Sequence, residues 1–358
     1  MKILILANHH IGLYRFRKEL INELLKNNQV IVALPYGENV EYFKKIGCDY
    51  IETRLERRGM NPFKDLRLLL KYCSVLIKEK PDLVITYTIK PNIYGGLACR
   101  FFRIQYDVNI TGLGTAFQKN GLFNSLITFM YKLGLKKAKT VFFENIENKQ
   151  LFIGKKVIKP DQACLLNGAG VNLDYFNVQD YPIDSETTKF LFIGRVMREK
   201  GIDELFEAMQ MLLKNSVNCM LNIVGECEED YSKQILKYES EGWLNYQGLQ
   251  NDVRPFIKEA DCIVLPSWHE GMANTNLEAS AMGRPIITSS IHGCLEAVED
   301  GITGYLCKKR DSGDLYRVMK KFTELSYDEK KHMGLLARQR MKNIFDKNEV
   351  VKSTIKNL

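Results

Sequence analysis

The sequence predicts an α/β protein made of two parallel sheets, each covered by helices on both faces. Apolar, β-branched runs alternate with stretches of helical periodicity, which is typical of a parallel sheet. The alternation stops once, at a polar stretch near residues 178–188, and then resumes. A chain of 358 residues is long for one core and suits two domains. Ligands of such sheets bind at the carboxyl ends of the strands, so two units side by side would form a cleft there.

The first series begins with a strand over residues 2–8 and a helix over 14–26, whose Phe16, Leu20 and Leu24 share one face. Its other strands are predicted over 29–35, 82–88, 107–111 and 140–144, and its other helices over 92–103 and 122–137. The second series has predicted strands over 189–194, 219–225, 243–247, 262–266 and 285–289. Its predicted helices are 202–214, 231–239, 252–259 and 275–282, followed by three short helices within 311–358.

Composition indicates a globular protein of the cytoplasm. Hydrophobic residues make up 45% and charged residues 26% of the chain. The apolar start, Met1–Ala7, lacks a charged leader and a small-residue cleavage site, so it is predicted to be a buried strand rather than a signal peptide. Nine cysteines are scattered without a C-x-x-C pair. Buried thiols in a reducing compartment explain them better than disulfides or a zinc site.

Positive charge is concentrated in the first half of the chain. The net charge is +8, and residues 1–180 hold 27 Lys and Arg against 16 Asp and Glu. This favours an anionic partner, such as a phosphorylated substrate, anionic lipid headgroups or nucleic acid. Lysines that only keep the surface soluble are an equally good explanation. No groove-reading motif or interleaved aromatic pattern supports nucleic acid.

A cluster of cations follows the first strand of the second series. Gly194-Arg195 ends the strand, and Lys200-Gly201 opens the next helix. Amide donors and the helix dipole favour anions at a helix N-terminus, and Arg can grip two phosphate oxygens. The loop therefore predicts a phosphate site, although an ordinary solvated basic loop is the alternative. The chain contains no P-loop motif.

Two glutamates surround a later strand-to-helix loop. Glu270 lies in the loop, followed by Gly271, and Glu278 lies in the first turn of the helix. Thr275-x-x-Glu278 also fits a capping box, which would give Glu278 a purely structural role. Trp268 and His269 fit packed walls as well as they fit catalysts.

This ordered set resembles the retaining GT-B glycosyltransferases of family 4. The similarity rests on Glu270-x7-Glu278, on Gly194-Arg195 with Lys200-Gly201, and on later motifs, namely Gly283-Arg284-Pro285, Gly293-Cys294-x-Glu296 and Asp300-Gly301-x-x-Gly304. The resemblance implies two Rossmann-like α/β/α domains that face a central cleft. It implies an acceptor domain over 1–180, a donor domain over 181–340, and C-terminal helices that pack back toward the first domain, with 341–358 returning to it.

The resemblance also implies roles for individual residues. Arg195 and Lys200 would neutralise the donor diphosphate, and Glu270 would contact the transferred sugar. The other implied donor-binding residues are Gly12, Gly194, Gly225, Glu226, Asp252, Val253, Gly271, Met272, Ala273, Asn274 and Glu278. No metal or cofactor is expected, because the sequence has no Asp-x-Asp to hold a divalent ion.

Two departures from the family pattern concern the reacting centre. Many members carry a histidine on the N-terminal side of the cleft, but the comparable stretch, residues 86–92, has none. His9 and His10 are the substitutes to consider. The second departure is Ala273-Asn274, where proline often follows the glutamate loop.

The acceptor is suggested by residues 85–96 and 109–115, which resemble capsule and lipid-linked oligosaccharide enzymes, including those that extend undecaprenyl-diphosphate sugars. The candidate acceptor-binding residues are His9, Arg15, Lys90, Asn92, Thr111 and Gly112. Two stretches could contact lipid: residues 54–64, and residues 117–139, where Phe123, Ile127, Met130 and Tyr131 lie near Lys132, Lys136 and Lys137. The alternative is that these apolar side chains pack on the sheet.

The sequence therefore predicts a bacterial retaining transferase that moves a hexose or N-acetylhexosamine from a UDP-sugar to a polyprenyl-diphosphate-linked saccharide. It would act in surface polysaccharide or glycan assembly, at the inner face of the cell membrane. A nucleotide-sugar 2-epimerase of the same fold and a non-catalytic nucleotide-binding protein stay open as alternatives.

Overall fold

The computed structural model describes residues 1–54, 61–113 and 122–358, without the side chains of Leu122 and Phe123. The chain forms two compact units. The first contains residues 1–169 and 348–358, and the second contains residues 170–347. Each unit has its own parallel sheet.

The first unit has a seven-stranded sheet. Its strands are β1 (Lys2–Leu6), β2 (Gln29–Leu34), β3 (Asp49–Glu52), β4 (Leu83–Tyr87), β5 (Gln105–Ile110), β6 (Val141–Phe143) and β7 (Ala163–Leu165). All neighbours pair in parallel, in the order β3-β2-β1-β4-β5-β6-β7. Its helices are α1 (His10–Leu25), α2 (Val40–Lys45), α3 (Pro62–Glu79), α4 (Gly96–Phe102), α5 (Leu122–Leu135) and α6 (Ile146–Gly154).

Successive residues of these strands point to opposite faces of the sheet, and each face has its own core. On one face Leu4 and Leu6 pack with side chains of α3, α4 and α5. On the other, Ile3 and Ile5 pack with α1 and α2. Val351 joins that second core, so the last helix, α13 (Lys347–Asn357), covers the first unit over most of its length.

The second unit has a six-stranded parallel sheet in the order β10-β9-β8-β11-β12-β13. Its strands are β8 (Thr188–Ile193), β9 (Cys219–Val224), β10 (Leu244–Tyr246), β11 (Cys262–Leu265), β12 (Ile286–Ser289) and β13 (Gly304–Cys307). Its helices are α7 (Ile202–Lys214), α8 (Ser232–Ser240), α9 (Arg254–Glu259), α10 (Asn274–Ala281), α11 (Ser312–Thr323) and α12 (Tyr327–Ile344). The predicted α/β class with two Rossmann-like units is confirmed.

The units divide earlier than the predicted boundary of 180/181, because residues 170–180 are anchored to the second unit. Arg284 is fully buried and donates to the carbonyls of Gln179 and Asp180. Arg338 likewise donates to the carbonyl of Phe176 at 2.8 Å. Hydrogen bonds from these two arginines therefore hold the backbone of this stretch on the second unit. At the other end, residues 341–347 also belong to the second unit, and 348–358 belong to the first.

Candidate active site

Except for Gly12, which belongs to the first unit, the predicted donor residues lie along or near the carboxyl edge of the second sheet. Because β9, β8, β11 and β12 are adjacent in that order, the loops that follow them are also neighbours. These loops carry Glu228, then Arg195 and Lys200, then Glu270, and finally Gly293. The sheet thus brings together residues that are almost one hundred positions apart in the chain.

Lys200 and Glu270 form an ion pair between the loops after β8 and β11. Their side chains are only 18% and 12% exposed, so solvent screens this pair less than a surface pair. Glu270 also accepts a hydrogen bond from the Ser267 hydroxyl at 2.8 Å. The carboxylate therefore has a fixed position, which suits a group that must meet a substrate in one orientation.

Arg195 is oriented by a different carboxylate. Its Nη1 lies 2.6 Å from Glu228 Oε2, and its side chain remains 41% exposed. Glu228 is the more enclosed partner, with 13% exposure. Sequence reasoning missed this residue, although an acidic run directly after β9 was a usable signal.

Two glycines allow these loops to approach one another. Gly201 has φ +74°, and a Cβ at this position would lie 2.1 Å from the carbonyl oxygen of Pro266. Gly293 has φ +91°, and a Cβ there would lie 2.8 Å from both Cβ and the carbonyl oxygen of Glu270. Any side chain at either position would push the loop with Glu270 out of place.

His269 lies beside the ion pair, and burial lowers its pKa to about 4, with Lys200 and Arg195 adding to the effect against the opposing pull of Glu270. Its Nε2 is 3.5 Å from Glu199 Oε2. The imidazole is therefore neutral at physiological pH and adds no positive charge to the site. The neighbouring Trp268 donates its indole N–H to Glu204 at 3.0 Å, which fits a packed wall.

The capping box predicted for Thr275 and Glu278 is wrong. Helix α10 begins at Asn274, its N-cap is Ala273, and no side chain caps it. Thr275 lies inside the first turn and donates to the carbonyl of Ile193 at 3.3 Å. Glu278 is half-buried on the same helix and does not cap it.

Several predicted donor residues have backbone roles. Gly225 has φ +149°, and a Cβ would lie 1.8 Å from the carbonyl oxygen of Gly194, so the two strand ends pack directly on each other. The carbonyl of the exposed Glu226 accepts from Val196 N–H at 2.8 Å. Ala273 N–H donates to the Gly293 carbonyl at 2.7 Å, which ties the loop before α10 to the loop after β12.

The remaining predicted donor residues lie near the same edge. Asp252 accepts two hydrogen bonds from the Arg254 guanidinium, at 2.9 and 2.7 Å, and one from the Arg254 backbone N–H at 3.0 Å, and these lower its pKa. Val253 is the N-cap residue of α9. In the loop before α10, Gly271 is half-buried and Met272 is buried, while Asn274 opens the helix.

The predicted residues of the first unit begin with the loop after β1. His9 is the N-cap of α1, and its ring lies 4.9 Å from that of His10. His10 packs over Gly37 and is within 3.0 Å of Asn39 Oδ1. Gly12 lies in the first turn of α1, where an added Cβ would meet no atom within 4 Å. Arg15 is exposed on the same helix.

The other predicted acceptor residues follow β4 and β5. Lys90 is paired with Asp65 at 2.8 Å and is 15% exposed. Asn92 is 1% exposed and donates to the Asn109 carbonyl at 2.9 Å, so its side chain helps to hold the ends of β4 and β5 together. Thr111 and Gly112 are half-buried just beyond β5.

The two stretches predicted to contact lipid are only partly described, because residues 55–60 and 117–121 lie outside the described residues. Of the α5 side chains in the second stretch, Ile127 and Tyr131 are buried in the core of the first unit. For these two residues, the alternative that they pack on the sheet is correct. Within the described residues no helix is long and apolar enough to cross a membrane.

No three His, Cys, Asp or Glu side chains in the described part of the chain are placed to hold a metal ion together. At the carboxyl edge of the second sheet, Arg195 and Lys200 each lie beside a carboxylate. This arrangement can bind an anion and hold a carboxylate against a neutral or cationic ligand.

Fold and site together define a GT-B glycosyltransferase. Residues 176–340 match the family described as Glycosyl transferases group 1, and residues 2–145 match Glycosyl transferase 4-like. The chain is a GT-B glycosyltransferase with these two domains, as the sequence motifs predicted.

Among curated relatives, the chain is similar to N,N'-diacetylbacillosaminyl-diphospho-undecaprenol alpha-1,3-N-acetylgalactosaminyltransferase of Campylobacter jejuni. The two are 29% identical over 94% of this chain and 92% of the relative. The UDP-Gal:alpha-D-GlcNAc-diphosphoundecaprenol alpha-1,3-galactosyltransferase of Escherichia coli is 25% identical over 84% of this chain and 82% of its own. These relatives are glycosyltransferases of lipid-linked saccharides.

Solved structures agree on the fold. Anabaena Alr3699/HepE in complex with UDP and glucose matches with a TM-score of 0.81, 16% identity, and coverage of 99% of this chain and 98% of that one. A glycosyltransferase from Rickettsia africae also matches with a TM-score of 0.81, at 21% identity over 99% and 97% of the two chains.

Proposed function

We propose that this glycosyltransferase moves a hexose or N-acetylhexosamine from a UDP-sugar to a saccharide linked to a polyprenyl diphosphate, with retention of anomeric configuration and without a metal ion. The observation that carries the proposal is the meeting of Arg195, Lys200 and Glu270 at adjacent strand ends of the second sheet. The chemistry named for the Campylobacter and Escherichia relatives supports the lipid-linked acceptor.

Departure of the diphosphate is the step that this site would accelerate. As the bond from the anomeric carbon to the phosphate oxygen breaks, negative charge builds up on the diphosphate. Fixed cations at that position stabilise the transition state more than the ground state. Arg195 can contact two phosphate oxygens, and the partly enclosed Lys200 adds a compact charge. These groups would do the work that a divalent ion does in other transferases.

Glu270 would act on the sugar side of the same bond. Its carboxylate is held by Lys200 and Ser267, so it can accept hydrogen bonds from the sugar and stabilise the positive charge at the anomeric carbon. We infer that the acceptor hydroxyl attacks from the face that the diphosphate leaves. Its proton passes to a departing phosphate oxygen, which releases UDP and keeps the α configuration.

The chain would meet its acceptor at the inner face of the bacterial cell membrane, since a polyprenyl diphosphate is held in the bilayer. The excess of cations among residues 1–180 supports this location. This mechanism needs no catalytic base from the first unit, so we assign that role to neither His9 nor His10.

A panel of UDP-sugars with detergent-solubilised lipid-diphosphate saccharides, read by mass spectrometry, tests the proposal. The product anomer is assigned by NMR, and the rate is measured with and without EDTA. Arg195→Ala and Glu270→Ala should reduce transfer by a factor on the order of 100 or more. Arg317→Ala is a matched control, because Arg317 also pairs with one carboxylate, at 2.8 Å, but lies exposed on α11.

Unchanged transfer by both site variants would refute the assignment of the site. A β-linked product, or loss of activity with EDTA, would refute the retaining or metal-free part alone. The 2-epimerase alternative predicts an epimerised sugar when UDP-N-acetylglucosamine is incubated without acceptor. A non-catalytic nucleotide-binding protein would bind UDP and convert no donor in the panel.

A further inference from the structure

Helices α3, α4 and α5 form one layer over one face of the first sheet, and the outer surface of this layer is both apolar and basic. The inner side chains of the layer, including Tyr72, Cys99 and Tyr131, belong to one buried core. Large apolar side chains also face outward. The exposed ones are Phe63, Leu66, Leu70 and Ile77 on α3, Phe101 on α4, and Leu126, Phe129 and Leu133 on α5. This outward face is named the α3–α5 surface below.

Helix α3 is divided into three sectors. At 100° per residue, one sector holds the buried Leu68, Tyr72, Val75 and Leu76. A second sector holds Phe63, Leu66, Leu70 and Ile77, which are 79%, 53%, 60% and 58% exposed. The third, next to it, holds Lys64, Arg67, Lys71 and Lys78, all exposed. An ordinary surface helix has one apolar stripe facing the core, whereas α3 has a second that faces outward.

The other two helices extend this arrangement. Phe101 on α4 is 78% exposed, and Phe129 on α5 is 56% exposed. Arg100 joins the two helices by donating to the carbonyl of Leu133. Large exposed apolar side chains on three neighbouring helices indicate an interaction surface.

The charges of the layer are of one sign. The exposed or half-buried cations within residues 62–80, 96–103 and 122–139 are Lys64, Arg67, Lys71, Lys78, Lys80, Arg100, Arg103, Lys132, Lys136, Lys137 and Lys139. These ranges contain two acidic residues only. Asp65 is 7% exposed and paired with Lys90, and Glu79 pairs with Lys2 at 2.9 Å and with Lys78 at 3.8 Å. Among the described residues of the three helices, the α3–α5 surface therefore offers apolar side chains and a large excess of cations over carboxylates.

We propose that the α3–α5 surface lies on an anionic lipid bilayer, with its leucine and phenylalanine side chains in the headgroup–acyl boundary and its lysines and arginines among the headgroup phosphates. A second copy of this chain is a poor occupant, because a symmetric contact would place these cations against each other. Nucleic acid would leave the aliphatic side chains of Leu66 and Leu70 without a partner. The inference deepens the membrane location in the proposed function by naming the surface responsible.

Flotation of the full chain with lipid vesicles tests the surface in the absence of donor and acceptor. We expect binding to vesicles of equal parts phosphatidylglycerol and phosphatidylcholine, and little binding to phosphatidylcholine alone. Leu66→Ser/Leu70→Ser and Arg67→Gln/Lys71→Gln should each weaken partitioning by about tenfold or more. Leu236→Ser/Leu249→Ser is the matched control and should bind as the wild type does, since both leucines are 66% exposed but belong to the second unit.

Wild-type protein that ignores anionic vesicles, or α3 variants that bind as well as wild type, would overturn the inference. So would a dimer that forms in solution without lipid and is lost in Leu66→Ser/Leu70→Ser. Far-ultraviolet circular dichroism confirms that each variant is folded. Because the assay contains no sugar nucleotide, its result is independent of whether the proposed transfer reaction is correct. A chain that transfers sugar to detergent-solubilised acceptor yet fails flotation refutes the surface alone.

Discussion

The ammonium of Lys200 donates to the carboxylate of Glu270 across 70 positions of sequence, between the loops of two adjacent strands. In the proposed reaction, Lys200 would act on the leaving diphosphate and the neighbouring Glu270 would act on the sugar. In the proposed reaction the breaking bond lies between these two functions, so positive and negative charge develop where the protein holds the opposite sign.

The first prediction concerns this pair. Lys200→Met and Glu270→Gln should each reduce kcat by a factor on the order of 100, because each removes a charge that acts on the transition state. The double variant should lose less than the product of the two effects, since each residue orients the other. Initial rates at saturating UDP-sugar measure this. Lys258→Met, at an exposed lysine of the same unit, is the control. Multiplicative losses would show that the two residues act independently.

The second prediction separates a fold residue from a site residue. Arg284 donates to six backbone carbonyls and is fully buried, and these carbonyls belong to Gln179, Asp180, Ile257, Lys258, Met282 and Gly283. Arg284→Met should lower the free energy of unfolding of the second unit by about 3 kcal/mol or more, because these acceptors lose their donor.

Tryptophan fluorescence reports on this unit alone, since both tryptophans of the chain, Trp243 and Trp268, belong to it. The exposed Arg317 provides the control: Arg317→Met should change stability by less than about 1 kcal/mol. If Arg284→Met melts like the wild type but loses activity, Arg284 belongs to the site instead.

Much of the fold could be predicted because strong periodicity is local information. The predicted helix over 202–214 coincides with α7, where a buried stripe recurs at helical spacing. Helix α3 was missed because its apolar residues occupy two faces and blur that periodicity. The strands β3 and β7 were also missed, since runs of four and three residues carry little signal.

The site could be predicted only in part. Arg195, Lys200 and Glu270 each follow a strand, so the sequence predicts their position at the edge of a sheet. It does not predict that Glu228 pairs with Arg195, because the two residues meet only when β8 and β9 lie side by side in the sheet. The capping box failed for a similar reason. The Thr275 hydroxyl donates to the carbonyl of Ile193 at the end of β8, and this tertiary hydrogen bond replaces the local one that the pattern predicts.

The third prediction is a pH dependence in the first unit. Burial raises the pKa of Asp107 to about 6, its Oδ1 accepts from Thr140 N–H at 2.8 Å, and its Oδ2 has no hydrogen-bond partner. As the pH rises, the Asp107 carboxyl loses its proton near pH 4 in the unfolded state but keeps it to about pH 6 in the folded state. The contribution of Asp107 to the stability of the first unit should be greatest below pH 4 and should fall by up to about 3 kcal/mol as the pH rises to 6.

Asp107→Asn should remove that slope and stabilise the first unit at pH 7, because the amide keeps the oxygen that Thr140 needs and carries no charge. Hydrogen exchange of β5 between pH 5 and 7, corrected for intrinsic rates, measures the effect. The exposed Asp161→Asn serves as control. A wild-type stability of β5 that does not fall over this range would contradict the prediction.

The last prediction isolates the role of Gly293 in placing Glu270. Gly293 and Gly301 both have positive φ, +91° and +77°, so the backbone strain of an alanine alone should cost about 1 kcal/mol of stability at either position. Their surroundings differ. A Cβ at Gly293 would lie 2.8 Å from Cβ of Glu270, whereas a Cβ at Gly301 would meet no atom within 4 Å. Gly293→Ala should therefore lower kcat by at least about tenfold, and Gly301→Ala should leave it near the wild-type value.

Thermal unfolding by tryptophan fluorescence together with initial transfer rates distinguishes the outcomes. Equal activity losses in the two variants would mean that stability alone is responsible, and that the contact with Glu270 does not position the carboxylate.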